Sequence, residues 1–349
     1  MNSHIEQYKE IKGIKSKELR DLIPQNCYVK SLKNNFLFLF LDIFIFLLGL
    51  IVVFNSTSIL WKLVGGLISG LGTTMLFGWG HDAAHGSLFK NKKIAEVLGT
   101  IALLPSFTIY RMWAFGHNKV HHGFTSFSPI DWIWKPFTPE QYNGLSFSKK
   151  IFYKMERSLL VCALHYLVHV WWTKMINYNP GKNASEQKHY RNGKFVTAIY
   201  ILIASTVSYL YAGGFWGLFS VVIIPFIVFT YHIAFFTYLH HTHPNMPLYE
   251  KKSEWSHSIA AIGCTSVINF SNISRIMYHN IMVHLPHHLD TRIPFYHLPE
   301  AYSSIKSEYG RYVNEYDFKW RKVFVIFRKC KLYDYEDKRW LTYKEARSI

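Results

Sequence analysis

Acidic residues are scarce in this chain. Its 349 residues hold 22 Asp and Glu against 39 Lys and Arg, a formal charge of +17, which excludes an acidic disordered protein. Cysteine is scarce as well. Cys27, Cys162, Cys264 and Cys330 form no CxxC pair and fit no zinc or iron–sulfur spacing. They read as free thiols in a reducing compartment. Glycine and proline follow no collagen period, no repeat of about 20–50 residues occurs, and no dinucleotide fingerprint or P-loop is present. An early apolar core is missing too. The first apolar run starts near Phe36, after Lys9, Lys12, Lys15, Lys17, Arg20, Lys30 and Lys33, so no signal peptide is expected.

Apolar residues, by contrast, make up half of the chain, and a mean hydropathy of +0.03 hides their segregation from the charges. Four runs, 36–54, 59–80, 195–212 and 215–239, approach the roughly 20 residues that cross a bilayer. Asn55–Ser58 joins the first pair and Gly213-Gly214 the second, so each pair reads as a helical hairpin. The hairpin tips carry no Lys or Arg, and the segments outside the spans hold all the basic residues but Lys62. The positive-inside rule then places the N-terminus, the middle segment and the C-terminus in the cytoplasm, and Lys62 is expected to snorkel. Juxtamembrane charge of this kind suits anionic lipid rather than nucleic acid.

The expected fold is an all-α integral membrane protein of one domain. Segment 1–35 is cytoplasmic, 36–80 the first hairpin, 81–194 cytoplasmic and interfacial, 195–239 the second hairpin, and 240–349 a cytoplasmic cap. Stretches 94–110 and 158–172 are short for spans and read as interfacial or re-entrant helices. Gly66 and Gly70 suggest close helix packing on the second span. Membrane location without a targeting segment fits a bacterial inner membrane.

The anomaly is 19 histidines, most of them clustered. His81 and His85 form an HxxxH, His117, His121 and His122 an HxxxHH, and His284, His287 and His288 an HxxHH preceded by His279-Asn280. Residues three and four apart share a helix face, so each cluster aims imidazoles at one point. In the second cluster His117 and His121 align best, with His122 one step round. Eight such ligands suit two metal ions with open positions. Imidazole suits several metals, but many imidazoles without thiolate favour a dinuclear redox site, iron before copper. A ligating histidine usually donates its other N–H to an acceptor. Asp82 is the first candidate for that role, and Asp131, Glu254 and Asp290 lie near the clusters in sequence. Asn280 is a candidate to bond a metal-bound water, or a helix cap. His165 and His169 have helical spacing but belong to no cluster and are not read as ligands.

The sequence resembles the membrane fatty acid desaturases with three histidine boxes, most nearly the acyl-lipid Δ12 (omega-6) branch. The resemblance rests on HDAAH at 81–85, HNKVHH at 117–122, YLHHTHP at 238–244 with Trp255 after it, HNIMVHLPHHL at 279–289 and IPFY at 293–296, and covers the chain from about residue 36. The first box departs from the branch, where many members have Cys-Gly in its middle. The resemblance implies a di-iron centre held by His81, His85, His117, His121, His122, His284, His287 and His288. The HTHP segment would add a ninth ligand, His241, with His243 next in line or as an outer partner. It further implies two iron ions, O2 as co-substrate, a fatty acyl lipid substrate and an external ferredoxin, flavodoxin or cytochrome-type electron donor.

A hydroxylase, conjugase or carotenoid oxygenase would use the same scaffold, and product analysis separates them. A metal-handling membrane protein is the rival of another class. It would need polar groups along the spans, where only Asp42, Lys62 and His232 stand. Trp113, Phe115, Phe124, Trp132 and Trp134 flank the second box and read either as an acyl channel or as interfacial anchors.

Overall fold

The computed structural model describes residues 3–179, 181 and 184–347. Among these, four helices are long and apolar enough to cross a membrane: Leu32–Asn55, Ile59–His85, Gln187–Tyr211 and Gly214–His241. Ser31 caps the first, its hydroxyl accepting from the Asn34 N–H at 3.2 Å. Gly86 ends the second in a left-handed conformation (φ 72°), its N–H returning to the Ala83 carbonyl. The fourth widens into a π turn at Phe219–Ile223, just before Pro225, which has no N–H to give the Val221 carbonyl.

Small residues set how closely the spans approach. A Cβ on Gly49 would lie 2.3 Å from the Ser69 nitrogen, and one on Gly72 would lie 2.4 Å from the Phe46 nitrogen, so the first two spans touch backbone to backbone. Gly66 and Gly70 face Ser220 and Val228 in the same way, which packs the second span against the fourth as their spacing suggested. Outward apolar side chains such as Phe40, Phe44, Leu202 and Leu210 stay exposed, as lipid-facing residues should.

Lys62 departs from expectation. It does not snorkel; it is buried, and its ammonium donates to the Val53 carbonyl at 3.3 Å and to the Ala212 carbonyl. These carbonyls lie at the C-terminal ends of the first and third spans, where unmet acceptors and the helix dipole favour a cation. The lysine therefore joins the two hairpin tips.

Between the hairpins, Lys92–Ser106 and Tyr110–Phe124 meet at a 98° bend. The second arm brings His117 to 3.0 Å from His81, so the pair returns to the level from which it left, as a re-entrant element does. Residues 158–172 form a turn followed by the π-helical stretch Tyr166–Ile176. The cap holds two small sheets absent from the all-helical expectation: β1 (Ser266–Asn269) parallel to β2 (Asn314–Asp317), and the hairpin β3 (Leu332–Asp334) with β4 (Arg339–Leu341). The N-terminal segment clamps onto the cap. Tyr8 packs against Gly263, and Ser258 donates to the Ile11 carbonyl at 2.7 Å.

Candidate metal centre

Four elements deliver the histidines. His81 and His85 sit in the last turns of the second span, and His240 and His241 end the fourth. The helices therefore run past the apolar runs, by five residues in the second span and two in the fourth. His284, His287 and His288 lie on the short helix His284–Leu289. Pro286 is tolerated there because first-turn N–H groups have no partner within the helix.

The second box is π-helical, Gly116–His121. The wider turn brings residues five apart onto one face. His117 and His122 accordingly meet Nε2 to Nε2 at 3.0 Å, while His121 turns away toward His241 at 3.1 Å. The helical expectation paired His117 with His121, so the structure reassigns that pairing.

Two sets of imidazole nitrogens gather within 4.8 Å: His81, His85, His117 and His287, and His121, His241, His284 and His288. His122 bridges them, 3.0 Å from His117 and stacked on His288 at 4.1 Å between ring centroids. All nine histidines thus converge. His243 does not; it stacks near Tyr316 at 5.6 Å.

The tautomers reveal what the cluster suits. Asp82 lies 2.9 Å from His81 Nδ1, and Asp131 reaches His121 Nδ1 with both oxygens at 3.2 Å. The Cys264 and Ile281 carbonyls lie 3.2 Å from Nδ1 of His241 and His284, and the Thr125 hydroxyl lies 2.9 Å from that of His288. A neutral imidazole has one N–H. Spending it at Nδ1 leaves Nε2 as a lone pair, and those lone pairs point at one another: His121 to His241 and His241 to His284 at 3.1 Å, and His284 to His288 at 2.9 Å. Both nitrogens of His85 and Nε2 of His287 are buried without a hydrogen-bond partner. Facing lone pairs repel unless a cation stands between them, and the outer acceptors are those that orient ligating histidines. The donor set fits bound metal. Burial, reinforced by neighbouring histidines, holds His284, His287 and His288 well below the ordinary imidazole range, which keeps them neutral.

Other expected partners lie elsewhere. Asn280 touches no histidine nitrogen; it accepts from Arg275 Nε at 3.2 Å and donates to the Phe295 carbonyl at 3.3 Å. Asp290 pairs with Arg292, and Glu254 with Lys338. His165 and His169 gather around Glu156, His169 Nε2 at 2.7 Å and His165 Nδ1 at 3.6 Å. The Trp134 backbone N–H donates to His165 Nε2 at 3.3 Å, which places the ring's proton on Nδ1, facing Glu156. At 3.6 Å from Glu156, His165 Nδ1 has no hydrogen-bond partner, and the ligand atoms of the trio lie within 4.8 Å of one another, so the trio forms a third group able to hold a cation. Two histidines quoted in the motifs without a role also take part: His240, stacked on His284 at 3.7 Å, and His279, beside Asp42. Only their adjacency to boxed residues hinted at this.

A cavity of about 210 Å³ opens beside the cluster. Phe77 and Phe236 line its inner part between the second and fourth spans, and Trp113, Phe115 and Trp132 line the side toward the second box. Trp113 also stacks on His117 at 4.2 Å. Phe124 and Trp134 do not line it; they pack on Trp255 and His165.

A family model described as fatty acid desaturase matches residues 58–320. The chain is 31% identical over 283 residues to an sn-1 oleoyl-lipid 12-desaturase of Picosynechococcus, covering 79% of this chain and 76% of that one. It is 28% identical to a chloroplastic omega-6 fatty acid desaturase of Arabidopsis thaliana, over 92% and 70% of the two chains. An sn-1 oleoyl-lipid 12-desaturase of Anabaena variabilis is 26% identical over 95% of each. With the match spanning most of its length and both histidine sets in place, the chain belongs to the fatty acid desaturase family of membrane oxidoreductases.

Proposed function

We propose that this protein is an acyl-lipid Δ12, or omega-6, desaturase. It places a cis double bond in a lipid-linked acyl chain, using two iron ions, O2 and electrons from a separate ferredoxin, flavodoxin or cytochrome-type donor. The observation that carries the reading is the pair of histidine sets whose Nε2 atoms face one another beside an apolar cavity. His81, His85, His117, His122 and His287 would hold one ion, and His121, His241, His284 and His288 the other. When bound, the iron pair supplies an O2-derived oxidant able to take hydrogen from an unactivated methylene. Two carbon-bound hydrogens, two external electrons and two protons convert O2 into two waters.

The chain's own residues do the rest. Asp82, Asp131 and Thr125, with the Cys264 and Ile281 carbonyls, keep the Nε2 lone pairs turned inward. Phe77, Trp113 and Phe236 line the cavity with apolar surface, which excludes water from the reacting carbons. Position along the cavity selects the carbon, since a misplacement of about 1 Å can cost on the order of 100-fold in rate. The positive-inside distribution of the basic segments supports a cytoplasmic position for the cluster, with a bacterial inner membrane as the proposed location.

The test is expression in a host that makes only saturated and monounsaturated chains, with double bonds located by mass spectrometry. A new diene from wild type and none from His284→Ala supports the reading and gives the bond position. Oxygenated products instead would replace desaturation with hydroxylation.

A further inference from the structure

The cavity that borders the histidines has a charged residue at one side. Among the described residues that line it, Lys174 is the only lysine or arginine. It lies on the π-helical stretch Tyr166–Ile176, and its ammonium sits 4.9 Å from the centroid of the Trp132 ring. Neighbouring lining residues include Phe115, Gly116 and Tyr178. Phe115 is exposed and pairs with Tyr178 at 6.4 Å, so this side of the cavity opens outward, whereas Phe77 and Phe236 close the opposite side.

Trp132 adds a second observation. Its indole Nε1 is buried and has no hydrogen-bond partner. A buried donor left unmet is costly, so such a group calls for an acceptor. Its ring is held in place by the Lys174 cation on one side and by Gly116, where a Cβ would come within 3.3 Å of it. Among the described residues that line the cavity the one carboxylate, Asp82, is taken up by His81, Ser87 and the Phe295 N–H. No acceptor among the described residues meets Trp132 Nε1, and the half-buried Lys174 ammonium stands beside it, so an oxygen of a bound ligand is the partner this corner of the cavity invites.

We propose that Lys174 and Trp132 form a subsite for the anionic polar end of the substrate, specifically the phosphate of a phosphoglycerolipid. This rests on the acyl-lipid reading above and sharpens it. The acyl chain enters the apolar cavity while a phosphate oxygen takes the ammonium and an ester or phosphate oxygen takes the indole N–H. Charge-assisted bonds of this kind are about twice as strong as neutral ones, so the subsite selects among headgroups more than among chains. An uncharged glycolipid or diacylglycerol meets the indole but leaves the lysine without its anion.

The test measures binding, so it does not depend on turnover. Detergent-purified full-length protein is mixed with equimolar dioleoyl phosphatidylglycerol, dioleoylglycerol and oleoyl-CoA, and retained ligand is read by native mass spectrometry. Wild type should favour phosphatidylglycerol over dioleoylglycerol by roughly tenfold or more, Lys174→Met should abolish the preference, and Lys174→Arg should keep it. Trp132→Phe keeps the ring and removes the donor, and should weaken both glycerolipids alike. An unchanged preference in Lys174→Met, or no preference in wild type, overturns the proposal. Selective retention of oleoyl-CoA overturns it in favour of a thioester carrier. Failure to form a diene would defeat the desaturase reading without altering these binding results.

Discussion

Asp42, within the first span, lies 3.1 Å from Nε2 of His279, which follows β1 in the cap and stands five residues before the third histidine box. Both are buried, and His279 adopts a left-handed backbone (φ 51°) that turns it back toward the spans. Gly78 makes the room, since a Cβ there would stand 2.6 Å from His279 Nδ1. A carboxylate that looked misplaced in an apolar run is thus the anchor of the cap on the membrane helices.

Leaving one buried polar partner of such a contact unmet costs about 1–3 kcal/mol. Asp42→Leu should lower the thermal midpoint in detergent clearly, and Asp42→Leu with His279→Phe should recover part of the loss. Equal midpoints for wild type and Asp42→Leu would remove the anchoring role.

Asp131 spans His121 Nδ1 and the backbone N–H groups of Ser126 and Ile133. Asp131→Asn keeps one acceptor and loses the charge. Outer partners of this kind are worth about 10–100-fold in metal affinity. The variant should fold and yield its metal to a chelator at a correspondingly lower concentration; wild-type retention would sink the idea.

Glycine at the helix contacts should be unforgiving. Gly49→Ala drives a methyl into the Ser69 backbone and should destabilise by about 1–3 kcal/mol, as overpacking does. Gly13→Ala meets nothing within 4 Å and should stay within about 0.5 kcal/mol of wild type. Comparable losses at both positions would contradict the packing described.

Burial by itself pushes the Glu156 carboxyl up, but hydrogen bonds and charge from His165 and His169 overcome it and hold the group at about 2. A depressed carboxyl stabilises the fold above its unfolded value and loses that contribution as pH falls through the folded one. The stability gap between wild type and Glu156→Gln should therefore be widest above roughly pH 4.5 and narrow toward pH 2. A gap that stays constant across that window would rule out the linkage.

The spans, the hairpins and the histidine boxes were legible because each is a local pattern. Apolar runs near bilayer length declare themselves, and HxxxH or HxxHH spacing places imidazoles on one helix face. Other features depend on partners far away in the chain. Nothing near Asp42 announces His279, and nothing near Lys62 announces the Ala212 carbonyl. The π turn at the second box reversed the pairing of His117 because a change of helical register leaves no mark in residue spacing.

Residue order alone indicated four membrane-length helices and eight boxed imidazoles at ligand spacing, since hydrophobic length and ligand spacing act over a few turns, while the ninth, His241, came only with the family resemblance. Only the tertiary structure decided which histidines share a set, which acceptors fix their tautomers, and where the cavity meets a lysine. Those outcomes come from backbone paths that bring together residues far apart in the chain, such as His121 and His241, 120 positions apart and 3.1 Å from each other.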